Sequence, residues 1–99
     1  MNFSICLTLK DTLICNCLRN TNNSNIEVTS TSQTIELQNG YTLNVVAVSE
    51  NSVTILIQNG TQVIIRTIYT NYNMNINIPT GNPCNSRHVL CIGVNNIQI

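Results

Sequence analysis

Two stretches of the sequence, IELQNGYTL at Ile35–Leu43 and ILIQNGTQV at Ile55–Val63, carry the same Gln-Asn-Gly tripeptide. Each tripeptide lies between short runs of β-branched and aliphatic residues. That pattern is typical of two strands joined by a tight turn, because Asn and Gly adopt the backbone conformations that hairpins require. Two such hairpins in one short chain favour an all-β fold.

The loop of the second hairpin is predicted from how its side chains would sort. A two-residue Asn-Gly turn would mix apolar and polar side chains on one face of the hairpin. A three-residue loop that ends at Gly60 instead pairs Ile55 with Val63 and gathers the apolar side chains on one face. Such a loop places its last residue in the left-handed conformation, so we predict a positive φ at Gly60.

The first hairpin obeys the same rule. A three-residue loop that ends at Gly40 pairs Ile35 with Leu43 and points Glu36 to the opposite face. We therefore predict a positive φ at Gly40 as well. The twenty-residue spacing of the two turns is consistent with internal duplication, but Asn-Gly is a frequent turn dipeptide and two matching turns are too few to define a repeat.

Strand signals continue along the chain, whereas helical patterns with caps are nearly absent. The chain is predicted to be an all-β, single-domain antiparallel β-sandwich, jelly-roll-like, over residues 12–99, preceded by a short N-terminal arm or connector at residues 1–11. The segment TGNPCNSR is predicted to be a loop before the closing strand. The predicted strands cover residues 5–9, 12–18, 26–31, 33–37, 41–48, 52–57, 61–69, 73–78 and 88–94.

The low charge of the chain limits the classes of partner that it is expected to bind. Charged residues make up 8% of the 99 residues and the formal net charge is zero, so no basic field is available to attract nucleic acid. Apolar runs are too short for a membrane-spanning helix, and the first residues lack the basic segment of a signal peptide. A surface rich in Asn, Thr and Ser without charge repulsion tolerates self-association, so the expected partner is a second copy.

Cysteine usage is high for a chain of this size. Because the number is odd, at least one thiol stays free or bonds to another subunit if the others pair within the chain. On the closing strand, Cys91 is predicted to point away from the face that carries His88, Leu90 and Ile92. The cysteines are Cys6, Cys15, Cys17, Cys84 and Cys91.

Catalytic and metal sites have little support. His88 with Cys84 or Cys91 would be the starting point for a thiol enzyme, but no motif with a mechanism accompanies them. Cys15 and Cys17 are spaced by one residue, whereas zinc sites favour two intervening residues. We therefore expect no enzymatic activity, no metal and no cofactor.

The cysteine positions resemble those of bacterial endospore appendage subunits, the Ena family. The similar features are the early Cys6, the segment KDTLICNCL with Cys15 and Cys17, and VLCIGV with Cys91. The resemblance implies a jelly-roll subunit in which Cys6 is the connector thiol, and in which Cys91 together with Cys15 or Cys17 are the acceptor thiols on adjacent copies. It also implies synthesis without a signal peptide and a final location on the spore surface or outside the cell.

Two functions follow as expectations. The first is a self-assembling structural subunit of a spore-surface or extracellular fibre, cross-linked by intermolecular disulfides at Cys6, Cys15, Cys17 and Cys91. The second is a monomeric β-sandwich binding module for carbohydrate or protein. Its contact surface would use Asn side chains together with Tyr41, Tyr69 and Tyr72.

Overall fold

Alternating apolar and polar side chains give the protein a fold made of β-strands. The computed structural model describes residues 2–80 and 86–99. Inward side chains of successive strands are aliphatic, which suits a half-buried pleated surface. In the described residues, no helix is long and apolar enough to cross a membrane. The strands are β1 (Ser4–Cys15), β2 (Leu18–Val28), β3 (Ile35–Glu36), β4 (Thr42–Val48), β5 (Ser52–Asn59), β6 (Gln62–Tyr69), β7 (Asn73–Ile78) and β8 (Arg87–Gln98), with a 3-10 turn at Gln38–Gly40.

The strands form two antiparallel four-stranded sheets. Sheet A has the order β2-β1-β8-β7 and sheet B the order β3-β4-β5-β6. The prediction of an all-β antiparallel sandwich is confirmed. The connectivity differs from a jelly roll, which contains two Greek keys, because here neighbours in a sheet are also neighbours in sequence apart from the pairing of β1 with β8.

One hydrophobic core lies between the sheets. Each fully buried aliphatic side chain contributes about 1.5–3 kcal/mol through removal of its surface from water. Both sheets supply the core, and its aliphatic members include Ile5, Leu7, Leu9, Leu43, Val45, Val53, Ile55, Ile57, Ile68, Leu90, Ile92 and Val94.

The predicted N-terminal arm is wrong, because residues 4–15 form one continuous strand in the interior of sheet A. β1 pairs along its length with both β2 and β8. Lys10 and Asp11, which interrupt the apolar run, both lie within this strand. Lys10 is in fact an outward-facing strand residue, and Asp11 is buried beside a partner from β8.

The first hairpin was predicted correctly. Ile35 pairs with Leu43, and the backbone N–H of Leu37 donates to the carbonyl of Tyr41 at 2.8 Å. Gly40 has a φ of 79°, as expected.

The second hairpin has the predicted positive φ, 59° at Gly60, but a different loop. Asn59 pairs with Gln62, so the loop consists of Gly60 and Thr61 alone. Only the first loop residue has a positive φ, which is the pattern of a type II′ turn. The predicted pair of Ile55 with Val63 is therefore wrong, and Ile55 pairs with Arg66.

Other strands differ from the predicted ones at their boundaries. Residues 19–25, which are polar and were assigned to no strand, belong to β2 because they pair in register with β1. The predicted strand at residues 73–78 is confirmed as β7, in which Asn73, Asn75 and Asn77 are exposed while Ile76 and Ile78 are buried. The predicted loop over residues 80–87 falls largely on residues 81–85, and these, with Cys84, lie outside the described residues.

Candidate functional site

Cys6 lies on the solvent-facing side of β1. The odd-numbered neighbours Ile5, Leu7 and Leu9 are buried in the core, so the pleat turns Cys6 outward, where it is half-buried. Its register partners are Glu27 on one side and Asn96 on the other. Cys6 carries a free thiol. Because Cys6 is held in a paired strand, it does not lie in a separate N-terminal arm or connector as was expected for residues 1–11.

Cys17 lies at the tip of the β1–β2 hairpin. Cys15 pairs with Leu18, so the loop is the dipeptide Asn16-Cys17, whose φ angles are 50° and 68°. Two positive φ angles are the signature of a type I′ turn, in which Gly is the favoured second residue. Cys17 is an exposed free thiol in a conformation that side chains rarely adopt, and the adjacent Leu18 is 77% exposed. The hairpin tip therefore presents an exposed thiol and an exposed apolar side chain together.

Cys15, the last residue of β1, is in a different state. It is disulfide-bonded, so its sulfur is not among the free thiols. The free thiols among the described residues are Cys6, Cys17 and Cys91.

Cys91 lies on the outer face of β8, as predicted. It is half-buried, carries a free thiol and pairs in register with Lys10 of β1 and Asn75 of β7. His88, which is only 1% exposed, points into the core. The opposite orientation of these two side chains removes the histidine as a direct base for the Cys91 thiol.

The strand registers keep the free thiols of the described residues, Cys6, Cys17 and Cys91, far apart. Cys6 lies four residues along β1 from Lys10, the partner of Cys91, which is a distance of about 14 Å at the usual rise per residue. Cys17 lies beyond Cys15, and Cys15 is itself about 17 Å along the strand from Lys10. A disulfide needs Cα atoms within about 7 Å. None of these thiols can bond to another in the same copy without disruption of sheet A.

A buried polar pair connects the two sheets at one end of the core. His88 Nε2 and Asp11 Oδ1 are 2.5 Å apart, and Asp11 Oδ2 accepts a hydrogen bond from the backbone N–H of Gln38 at 2.7 Å. The Tyr41 ring packs edge-on against His88, with centroids 5.8 Å apart. Sequence reasoning missed this pair, because its members lie 77 residues apart and neither belongs to a local motif.

The surroundings of the Asp11–His88 pair indicate a structural role. Both side chains are almost fully buried, and within the described part of the chain His88 Nδ1 has no hydrogen-bond partner. The described residues contain no group of three or more His, Cys, Asp or Glu side chains arranged to hold a metal. The pair joins β1 and β8 of sheet A to the turn that leads into β4 of sheet B.

The aromatic surface expected for a carbohydrate module is incomplete. Tyr41 is buried, and its hydroxyl donates to the carbonyl of Pro79 at 2.5 Å. Tyr69 and Tyr72 are exposed at the two ends of one turn, in which the Tyr72 N–H donates to the Tyr69 carbonyl. The prediction of a three-tyrosine surface is therefore wrong for Tyr41.

No protein-family model matches the sequence, and no curated protein or solved structure matches the chain. A functional proposal must therefore rest on the residues and geometry of the chain itself.

Proposed function

We propose that the protein is a self-assembling structural subunit whose copies are joined into a fibre by disulfides between their free thiols. One observation carries the proposal: Cys6, Cys17 and Cys91 are free and are too far apart to pair within one copy. In an oxidising environment, such thiols form bonds between copies instead.

The positions of two thiols suit a head-to-tail arrangement. Cys6 pairs with Glu27 of β2, nine residues from Leu18 at the hairpin tip, so about 30 Å of strand separates Cys6 from the turn that holds Cys17. The longest dimension of the molecule is 43 Å and the others are 25 and 17 Å, so β1 and β2 must run along the long axis. A contact that joins one end of a molecule to the other end of the next is heterologous, and it propagates as a filament when the copies do not close into a ring.

The edge of sheet B offers a second contact between copies. β6 is the last strand of sheet B, so one side of its backbone is unpaired. The outer face of β6 carries Val63, Ile65 and Tyr69, each more than half exposed. An apolar edge strand with one charged residue, Arg66, lacks the lysines and prolines that normally prevent pairing with another chain.

The surface of an endospore or the outside of a cell remains the proposed location. Disulfides persist in such surroundings, whereas the reducing cytosol keeps thiols free. In this proposal, Cys6 and Cys91 are fixed acceptors on the outer face of sheet A. Cys17, at an exposed turn, is the sulfur that reaches the neighbouring copy.

Cysteine variants test the proposal. Wild-type protein, and the Cys91→Ser variant that keeps Cys6 and Cys17, should form a ladder of covalent oligomers under air oxidation. Non-reducing electrophoresis would show the ladder, dithiothreitol would collapse it, and negative-stain electron microscopy would show fibres.

The matched control keeps only one of the three thiols. The Cys6→Ser/Cys91→Ser variant, in which Cys17 is the single free thiol of the described residues, should stop at a covalent dimer because each copy then keeps one of the proposed linking sites. A wild-type protein that stays monomeric at every concentration under oxidation would refute the proposal. A full ladder from the single-thiol variant would show that these three thiols are not the linking groups.

A further inference from the structure

A groove on the outer face of sheet A collects most of the positive charge of the protein. Its volume is about 330 Å³, and Lys10, Arg19 and Arg87 line it. The whole chain contains four Lys and Arg residues, so only Arg66 lies elsewhere. No acidic side chain lines the groove. In a protein of zero net charge, this arrangement produces a local positive field.

The acidic residues are placed where they do not neutralise the groove. Asp11 points into the core and is bonded to His88, in the one ion pair found among the described residues. Glu27, Glu36 and Glu50 are exposed and are absent from the groove lining. The cations of the groove are therefore available to a ligand.

The strand register places the two arginines symmetrically. Ile14 of β1 pairs with Arg19 of β2 on one side and with Arg87 of β8 on the other. The two arginines thus lie on strands that flank β1, with backbones about 10 Å apart. Guanidinium groups that reach over Ile14 from both sides can each present two parallel N–H donors to an oxyanion.

The remainder of the groove extends this donor set along β1. Lys10 lies four residues from Ile14, and the Thr12 and Thr21 hydroxyls lie between them, 3.1 Å apart in a mutual hydrogen bond. Asn75 of β7 lines the far side. The groove has two guanidinium groups at one end, hydroxyls in the middle and an ammonium group at the other end. This row of donors matches an elongated anion better than a single small ion.

We propose that this groove binds an elongated polyvalent oxyanion, held by Arg19 and Arg87 at one end and by Lys10 at the other. The chemical class is a molecule or chain with several phosphate groups or several carboxylate groups. Cys91 lies beside Lys10 on the wall of the groove, so a bound anion would cover its thiol. The site does not depend on disulfide cross-linking and exists in the reduced monomer.

Calorimetric titration of the freshly reduced monomer with inorganic tripolyphosphate, and in parallel with citrate, tests the site and separates the two ligand classes. Saturable one-to-one binding is expected, and the tighter of the two identifies the class. Arg19→Gln and Arg87→Gln should each weaken binding about tenfold or more, since a charge-assisted pair is lost. Arg87→Lys should recover only part of the affinity, because it keeps the charge but loses the planar fork.

Arg66→Gln is the matched control, because it removes the same charge from sheet B. It should leave the affinity within about twofold, as a distant charge is largely screened at physiological salt. Bound tripolyphosphate or citrate should also slow alkylation of the Cys91 thiol, relative to that of Cys6, as measured by peptide mass spectrometry. An equal loss of affinity in Arg66→Gln, or the absence of saturable binding to either anion, would overturn the proposal.

Discussion

Asp11 makes several long-range contacts through its buried carboxylate and its backbone carbonyl. It accepts from the backbone N–H of Gln38 and contacts His88, while the Gln38 side chain donates back to the Asp11 carbonyl at 2.9 Å. A buried charged group is tolerated when it is paired and hydrogen-bonded, and its removal leaves the partner unsatisfied. The stability of this end of the sandwich therefore depends on one side chain.

Asp11→Ala should reduce the free energy of unfolding by about 3–5 kcal/mol, because the buried His88 loses its partner and the partly buried Gln38 N–H loses its acceptor. Urea unfolding followed by circular dichroism would measure the shift in midpoint. Glu50→Ala, which removes an exposed carboxylate, should change stability by less than about 0.5 kcal/mol. Equal midpoints for the two variants would contradict a structural role for the buried pair.

Gly60→Ala should destabilise the protein by about 1–2 kcal/mol. A Cβ at this position has open space, with no atom within 4 Å, so the expected loss comes from the positive φ of 59° and not from a clash. Thr61→Ala in the same loop is the control and should have little effect. The measurement is the thermal unfolding midpoint of both variants at one pH, and a neutral Gly60→Ala would disprove the predicted strain.

At the scale of elements, the β1–β2 hairpin combines a strained turn with a polar edge strand. Apart from the half-buried Thr21, the residues of β2 from Leu18 to Asn25 are exposed. Pairing with β1, rather than burial, therefore holds this half of β2 in place, and the turn geometry sets its register. A non-glycine residue other than Asn or Asp at positive φ in such a turn costs stability.

Cys17→Gly should stabilise the reduced protein by about 0.5–1 kcal/mol, because glycine accepts the φ of 68° without strain. Cys17→Ala removes the thiol but keeps the strain, so it should unfold at nearly the wild-type urea concentration. Both variants are compared by urea unfolding in the presence of a reductant. A Cys17→Gly protein less stable than Cys17→Ala would show that the thiol makes a stabilising contact.

The same elements show which parts of the fold could be predicted from sequence. The turn at residues 38–40 was predictable because Ile35 and Leu43 each belong to a clear alternation with polar neighbours. β6, with sequence QVIIRTIY, is apolar on both faces, so alternation cannot decide which set is buried. The polar stretch over residues 19–25 gives no hydrophobic signal at all.

The candidate site could be predicted only in part. Cys91 follows from the two-residue period of its strand. The Asp11–His88 pair and the cationic groove could not be predicted, because both require knowledge that β1 pairs with β8, a contact between opposite ends of the sequence.

At the scale of the whole molecule, the two sheets close around one core but leave unequal edges. β3, at one edge of sheet B, has two residues, whereas β6 at the other edge has eight. Short edge strands resist pairing with other chains, while long apolar ones invite it. Contacts between copies should therefore be concentrated on the β6 side of sheet B.

Ile65→Lys should weaken non-covalent self-association of the reduced protein by about tenfold or more, because a charge is introduced into an apolar edge strand. Analytical ultracentrifugation over a range of concentrations would measure the change. Thr31→Lys, in the exposed connection after β2, adds the same charge elsewhere and should have little effect. Identical association by both variants would exclude β6 as the contact.

The position of β1 between β2 and β8 also has a consequence for synthesis on the ribosome. The hairpin with β2 can form early, but the other long side of β1 waits for a partner that is translated after about eighty further residues. Until then, the apolar side chains Ile5, Leu7 and Leu9 lie on a strand that is not yet paired with β8. Contacts of such high sequence separation form slowly. Nascent chains are thus expected to need protection from aggregation until translation reaches the last strand.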